Sequence, residues 1–328
     1  MLTDLIGTLP QVLIDGLTLG AIYAVVAIGY TMVYGILELI NFAHGEIFMT
    51  GAFIGTSLLF LFTGQGWIHT LPAILILLLA IIAASICTGV LGIGIERVAY
   101  RPLRNAPKLI TLITAIGISF LLQDIVRFIA ELKKGTYIIN GPNLFNGQIH
   151  IKASSLWPEF HDATLKSSFL VVLLVSIVML AVLDIFVNRT KWGMAMRAVA
   201  QDRETASLMS VNVNKVIAIT FFIGSALGGA TGVLFAVQYG TIDPYIGYTL
   251  GIKAFTAAVL GGIGNIRGSM AGGLILGLIE MFAAANLSGL TGGVFGSEYK
   301  DVFAFILLII VLIFKPEGLF GKAAAEKV

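Results

Sequence analysis

Charged residues and cysteines are scarce in this sequence of 328 residues. Only 12% of its residues are charged, about half of the roughly 25% that is usual in soluble domains. Apolar types make up 58% of the chain, and the mean hydropathy is +0.97. A soluble core could not enclose so much apolar surface, because soluble cores stop growing beyond ~250–300 residues. The composition therefore excludes a soluble enzyme, a disordered protein and a secreted disulfide scaffold.

Several kinds of chemical site are also missing. The single cysteine, Cys87, has no partner for an internal disulfide, and we interpret it as buried filler in an apolar run. The four histidines are scattered without metal-ligand spacing, and no G-x-x-x-x-G-K-[ST] signature occurs. We therefore expect no metal site, no cofactor and no nucleotide hydrolysis by the P-loop route. The net charge of +2 is too small to indicate nucleic-acid binding.

Long apolar runs, by contrast, are plentiful. About 20 such residues cross the ~30 Å hydrocarbon layer of a membrane as a helix. The nine candidate runs cover residues 12–35, 45–63, 72–95, 109–130, 167–187, 214–238, 251–265, 268–287 and 302–314. The run at 251–265 is short and glycine-rich, so it either crosses or forms a broken or re-entrant helix. The sequence predicts an all-α, polytopic membrane protein with one transmembrane domain over residues 1–328 and about nine (8–10) helices.

Basic residues are concentrated in two loops, 96–108 and 188–215, and in the tail, with Lys315, Lys322 and Lys327. Lys and Arg accumulate in the cytoplasmic loops of membrane proteins. Two candidate spans separate the two loops, so both lie on one side. Placing that side in the cytoplasm, and counting Arg267 there if the run at 251–265 crosses, puts thirteen of the 20 basic residues inside and five outside. The pattern predicts an external N-terminus, an external loop at about 131–166 and a cytoplasmic C-terminus.

Ionisable residues within the spans are few, and such residues are usually functional because they are costly in lipid. Glu280 is the one that lies well inside a predicted span. Asp124 and Arg127 are three residues apart and could pair along a helix. Arg127 and Lys253 lie near span ends, where long side chains extend towards the interface. So sparse a set disfavours a proton- or sodium-driven carrier.

Two glycine-containing polar breaks, one in each half of the chain, interrupt apolar helices. They are Asn41-Phe-Ala-His-Gly-Glu46 and Gly261-Gly-Ile-Gly-Asn-Ile-Arg-Gly268. Paired interruptions in the two halves of a transporter point to its central pathway. We therefore assign Asn41, His44, Glu46, Gly261, Gly262 and Gly264 to a translocation pathway. The alternative is that both breaks are interfacial turns that join helices.

The basic loop at 188–215 has helical composition, with Thr190 as a possible cap for one helix and Asp202 for a second. Asn214 is a possible cap for the next span. Ala206 and Ser210 are four residues apart, so we expect them to share one face of a helix. Such a small-residue face suits docking in a groove of a soluble partner. The alternative is a solvated loop whose basic residues contact anionic lipid.

The segment Glu204-Thr-Ala-x-x-x-Ser210 resembles the E-A-A-x-x-x-G coupling motif of ABC-importer permeases, with Thr205 and Ser210 in place of alanine and glycine. Further runs, in order along nearly the whole chain, are similar to the LivH-type permease subunits of branched-chain amino-acid ABC importers. These runs are Gly16-Leu-Thr-Leu-Gly-Ala-Ile-Tyr-Ala24, Asn41 to Glu46, Glu96-Arg-Val-Ala-Tyr-Arg-Pro-Leu-Arg104, Lys191-Trp-Gly-Met-Ala-Met-Arg-Ala198, Gly251-Ile-Lys-Ala-Phe255, Gly261-Gly-Ile-Gly264 and Lys315-Pro-Glu-Gly-Leu-Phe-Gly321.

The resemblance implies a permease of the bacterial cytoplasmic (inner) membrane that moves substrate and hydrolyses nothing. The implied partners are two cytoplasmic ABC ATPase subunits, a second related permease, an external solute-binding protein and membrane lipid. It also implies ATPase coupling through Glu204, Ala206 and Ser210, with Arg197 nearby. Relatives of this kind also import urea, short amides or other amino acids. The competing class is a self-contained, glycine-rich facilitator or carrier that needs no ATPase.

The predicted orientation can be tested with single cysteines at Ser155 and Ser207 in a Cys87→Ala background. Ser155 lies in the predicted external loop and Ser207 in the predicted cytoplasmic loop. An impermeant thiol reagent added to intact cells should label the cysteine at position 155 only. Labelling of both cysteines from outside would contradict this orientation.

Overall fold

A computed structural model describes residues 2–37, 39, 41–104, 106–155 and 157–321. The tail residues Lys322 and Lys327 lie outside the described residues. The described chain is mostly helical. Its helices are α1 Leu2–Leu37, α2 His44–Gly64, α3 Trp67–Thr70, α4 Ala73–Ile95, α5 Lys108–Lys134, α6 Ser167–Arg189, α7 Lys191–Gln201, α8 Arg203–Leu208, α9 Val213–Tyr239, α10 Ile246–Gly261, α11 Ile266–Leu290 and α12 Lys300–Phe314. Its strands are β1 Ile139–Asn140, β2 Gln148–Ile151, β3 Ala163–Lys166 and β4 Thr241–Ile242.

Seven of the described helices, α1, α2, α4, α5, α6, α9 and α11, are long and apolar enough to cross a membrane. This confirms a polytopic, helical membrane protein. The apolar helices α10 and α12 have 16 and 15 residues, which gives lengths of roughly 24 and 22 Å. Both are shorter than the ~30 Å hydrocarbon layer. The predicted run at 251–265 corresponds to α10, which begins five residues earlier and ends at Gly261.

Local sequence explains where the long helices begin and end. Pro72 and Pro107 immediately precede α4 and α5. Proline suits this position because it has no backbone N–H to donate within a helix. Gly135 and Gly240 follow α5 and α9 with φ angles of 69° and 75°. Glycine adopts this left-handed conformation without strain, so it commonly closes a helix.

Contacts between elements distinguish two ends of the helix assembly. The first, here called the basic end, holds the C-terminus of α1, the α4–α5 connection and the region of α7 and α8. There, Arg203 donates to the carbonyl of Ile36 at 2.7 Å, and Arg267 pairs with Asp184 at 3.2 Å. The C-terminal segment joins the same end, because the Leu319 amide donates to the carbonyl of Leu260 at 2.8 Å.

The opposite end, here called the cap end, holds the segment 135–166. Strands β2 and β3 pair antiparallel within it, while β1 pairs with β4 beyond α9. The His161 amide donates to the carbonyl of Gly7 at 3.0 Å and so ties the segment to the start of α1. Hydrogen bonds from Ser154 hold the pKa of Asp162 below its usual range. The described residues of this segment thus cover one end of the bundle.

Glycines allow α1 to approach α11 closely. A Cβ added to Gly20 would lie 2.9 Å from the Leu274 Cα, and one added to Gly277 would lie 2.3 Å from the Gly20 amide nitrogen. The helices α2 and α9 meet in the same way at Gly51 and Gly229, where a Cβ on Gly51 would lie 2.3 Å from the Gly229 Cα. Small residues at helix contacts are how helices associate in lipid.

Two expectations about single residues were wrong. Cys87 is exposed on α4 instead of buried, because α4 presents one of its faces to the surroundings of the bundle. Arg127 does not pair with Asp124; it pairs with Glu131 at 3.1 Å, one helical turn further along α5. Both side chains of this pair are partly exposed.

The contact between α1 and α11 should tolerate no added methyl group. We expect Gly277→Ala to lower the stability of the purified protein by about 1–3 kcal/mol, because the new Cβ would overlap the α1 backbone. The matched change Gly289→Ala lies on the same helix, where an added Cβ meets nothing within 4 Å. It should leave the midpoint of thermal unfolding unchanged or raised. Equal midpoints for the two variants would contradict this packing.

Candidate functional site

The basic loop folds into two short helices capped by its own side chains. Thr190 accepts from the Gly193 amide at 3.1 Å and so caps α7. Asp202 accepts from the amides of Glu204 and Thr205 and caps α8. Both predicted caps are confirmed. The predicted cap at Asn214 was wrong: Asn212 caps α9, and Asn214 accepts from Arg104 instead.

Ala206 and Ser210 do not share a helical face. The helix α8 ends at Leu208, and Ser210 follows it with a φ of 63°. The Val211 amide donates to the Ala206 carbonyl, and the Ser210 amide donates to the Ser207 carbonyl. This is the Schellman arrangement, in which the left-handed residue is usually glycine. Ser210 therefore occupies the position where the family motif has glycine, but it closes the helix instead of extending it.

The surface of this loop is apolar at its tip. Ala206 is 4% exposed and packs into the bundle, whereas the neighbouring Leu208 and Met209 are 84% and 75% exposed. The sequence analysis missed both residues, because it placed the exposed face at the small residues. Glu204 is exposed and lines a cavity of about 520 Å³ together with Arg104, Lys108 and Arg203.

Two arginines attach the loop to the spans. Arg203 donates through Nε and Nη2 to the Ile36 carbonyl, in the last turn of α1. Arg197 donates to the carbonyl of Val187, in the last turn of α6. Carbonyls in the last turn of a helix have no partner within the helix. Arg197 and Arg203 therefore fix α7 and α8 against the ends of α6 and α1.

The first polar break is buried among the helices. His44 begins α2 with its ring 4.7 Å from that of Tyr30 and directly against Gly29. Asn41 accepts from the Tyr100 hydroxyl at 2.8 Å. Glu46 accepts from the Ser119 hydroxyl at 3.2 Å, while its Oε2 has no hydrogen-bond partner among the described residues. These three polar residues are 1–2% exposed.

The second polar break is a turn at the basic end, between α10 and α11. Gly262 and Gly264 have φ angles of 102° and 90°. Asn265 caps α11 and also donates to the Phe320 carbonyl at 2.8 Å. The Phe320 amide donates in turn to Gly261. The C-terminal segment thus holds this turn in place.

The structure brings together some of the predicted site residues. Arg197 and Gly264 line the same cavities at the basic end. The two breaks lie apart: His44 contacts α1 at Gly29, whereas Gly264 approaches α1 at Gly35. Six residues along a helix correspond to roughly 9 Å. The assignment of both breaks to a pathway stays a prediction.

A large cavity opens towards the cap end between α1, α9, α10 and α11, and sequence reasoning did not find it. Its volume is about 820 Å³. At its inner end Glu280, 1% exposed, accepts from Tyr23 at 2.7 Å and pairs with Lys253 at 2.8 Å. The expectation that Lys253 extends to an interface was wrong, because Lys253 is buried in an ion pair. The sequence did contain one indication of this cavity: Glu280 is the one ionisable residue that lies well inside a predicted span.

Comparison with known proteins identifies a family. The family model described as "Branched-chain amino acid transport system / permease component" matches residues 12–312. The chain is 44% identical over 322 residues, 97% of each chain, to the high-affinity branched-chain amino acid transport system permease protein LivH of Escherichia coli K12. It is 44% identical over 319 residues, again 97% of each chain, to the corresponding protein BraD of Pseudomonas aeruginosa.

A more distant similarity extends to an archaeal protein. The chain is 27% identical over 297 residues to the probable branched-chain amino acid transport permease protein LivH of Methanocaldococcus jannaschii. This match covers 90% of this chain and 87% of the archaeal one. No solved structure matches the chain.

The left-handed conformation of Ser210 leads to a prediction about stability. Residues other than glycine lose about 1–2 kcal/mol in this conformation, so Ser210→Gly should raise the midpoint of thermal unfolding of the purified importer. The control Ser207→Gly lies inside α8, where glycine should cost about 0.5–1 kcal/mol. A lower midpoint for Ser210→Gly would contradict the helix closure described here.

Proposed function

The chain belongs to the family of branched-chain amino acid transport system permease components, and on that premise we propose its full function. It is the membrane-spanning subunit of an ATP-driven importer for leucine, isoleucine and valine. The observation that carries this proposal is the 44% identity to two such permeases over 97% of each chain. The exposed loop at the basic end also supports the proposal, because a self-contained facilitator needs no loop that docks on an ATPase.

The proposed setting is the bacterial cytoplasmic (inner) membrane, with the basic end in the cytoplasm and the cap end outside. Basic loops favour the cytoplasmic side. In this arrangement nine helices cross, because α10 and α12 also lead towards the basic end. A short crossing helix is accommodated by local thinning of the bilayer and by flanking side chains that reach the interface. The N-terminus is then external and the C-terminus cytoplasmic.

The proposed partners follow from the division of labour in such importers. Two ATPase subunits bind at the basic end and supply the energy. A second, related permease completes the membrane unit, and a solute-binding protein delivers the amino acid at the cap end. Arg197 and Arg203 support this role of the loop, because they bind α7 and α8 firmly to the ends of two spans.

The proposed contact with the ATPase is the apolar tip formed by Leu208 and Met209, with Glu204 at its edge. Both apolar side chains are largely exposed on the side of the molecule assigned to the cytoplasm. Apolar anchors of this kind carry much of the binding energy when a helix docks in a groove. Ser210 closes the helix and sets the position of the tip. Ala206 is buried and supports the tip from within the chain.

Reconstituted vesicles provide the test of this function. Vesicles that hold the complete importer and the binding protein should take up labelled leucine only with ATP. The double variant Leu208→Ser/Met209→Ser should lose ATPase co-purification by at least about tenfold, because two apolar anchors are removed. Leucine uptake should fall with it.

The control for that experiment is Val294→Ser, which removes an exposed apolar side chain outside α7 and α8. It should keep both ATPase association and uptake. Uptake of leucine without ATPases would favour a facilitator, and uptake of labelled urea in place of leucine would contradict the proposed substrate. Normal ATPase association in the double variant would contradict docking at the tip.

A further inference from the structure

We infer that the cavity at the cap end is a binding site for the zwitterionic head and apolar side chain of a free amino acid. This inference rests on the proposed function and identifies where in this chain its substrate binds. The cavity volume of about 820 Å³ lies within the ~300–1,000 Å³ range of small-molecule sites. The cavity reaches from Thr164 and Asp243 near the cap end to Tyr23 and Glu280 inside the bundle.

The charges in the cavity wall balance. Three carboxylates and three ammonium groups line it: Asp15, Asp243 and Glu280, with Lys166, Lys253 and Lys300. Counted by formal charge, these six lining side chains sum to zero. A wall with both signs and no net charge matches a zwitterion better than it matches a simple anion or cation.

The two lysines at the inner end have hydrogen-bonding capacity left for a carboxylate. Glu280 Oε1 lies 2.8 Å from the Lys253 Nζ and 3.3 Å from the Lys300 Nζ. Lys253 also pairs with Asp301 at 2.7 Å. An ammonium group has three donors, so among the described contacts Lys253 keeps one donor and Lys300 keeps two. Glu280 holds the lysines in place, and their remaining donors can bind the carboxylate of a ligand.

An acceptor for the ligand's ammonium group is also present. The Gln238 Oε1 is buried and has no hydrogen-bond partner among the described residues, although Gln238 lines the cavity. Buried acceptors without a partner are rare in folded proteins. Rotation of the Gln238 amide would turn this oxygen into the cavity, where a positively charged donor would satisfy it. Asp15 and Asp243 supply negative charge in the same wall.

Apolar side chains also form part of the wall, and they suit a branched aliphatic side chain. They include Leu19, Phe169, Phe235, Ile246, Leu250 and Met281. Burial of aliphatic groups against such side chains contributes about 25 cal/mol per Å². The cavity thus combines groups for the carboxylate, for the ammonium and for an apolar side chain.

The test uses the complete purified importer in lipid vesicles and a leucine analogue that carries a photoreactive diazirine. Cross-links mapped by mass spectrometry should fall on the cavity wall. Leucine should compete for them at least about tenfold better than 4-methylpentanoate, which lacks the ammonium, or 3-methylbutylamine, which lacks the carboxylate. Cross-links elsewhere, or equal competition by the three compounds, would overturn the inference.

Two variants with matched controls complete the test. Thr249→Trp fills the cavity from α10, while Tyr248→Trp changes the neighbouring exposed residue outside its lining. Lys300→Gln removes a proposed carboxylate donor, while Lys152→Gln removes an exposed lysine outside the cavity. Thr249→Trp and Lys300→Gln should each lower cavity labelling and leucine uptake about tenfold or more, with ATPase co-purification retained. The controls should change neither.

The outcomes separate this inference from the proposed function. If the unaltered importer takes up leucine and Thr249→Trp does so equally well, the amino acid does not bind in this cavity, and the function stands. If the unaltered importer takes up no leucine in the presence of its ATPases and binding protein, the proposed function fails. Should Thr249→Trp not assemble, labelling of Lys300→Gln decides the inference.

Discussion

The close approach of α1 to α11 is the constraint on which the other features of this chain depend. Lipid offers no hydrophobic gain for bringing two helices together, so their association relies on close van der Waals packing. Gly16 and Gly20 on α1 meet Gly273 and Gly277 on α11 with backbone against backbone. The large cavity at the cap end lies beside this contact, with walls from α1, α9, α10 and α11.

The same helix connects the two candidate sites. Near one end of α1, the Ile36 carbonyl accepts from Arg203 of the basic loop. Within the bundle, the Tyr23 hydroxyl donates to Glu280 in the wall of the cavity. Thirteen residues of one helix, roughly 20 Å, separate these two contacts. The proposed ATPase contact and the proposed amino-acid site are therefore attached to one rigid element.

Local chemistry in the basic loop was predictable, and its exposed surface was not. Thr190 and Asp202 cap their helices through amides two or three residues away, so the sequence contains the whole interaction. The expected face of Ala206 and Ser210 required α8 to continue, and it ends at Leu208. Which side of this helix faces the bundle depends on an apolar cluster whose other members, such as Ile36 and Val216, lie on other helices. Ala206 is buried in that cluster, whereas Leu208 and Met209 are exposed.

By itself the sequence determined the class of protein, its apolar helices and its family resemblance. These follow from composition, from run length and from ordered motifs, which are all local properties of the chain. Only the tertiary structure decided the partners of Glu280 and the place of Lys253. These two residues are 27 positions apart, and Lys300 joins them from another helix. A buried ion pair and a cavity arise from the distances between helices, and no single helix encodes those distances.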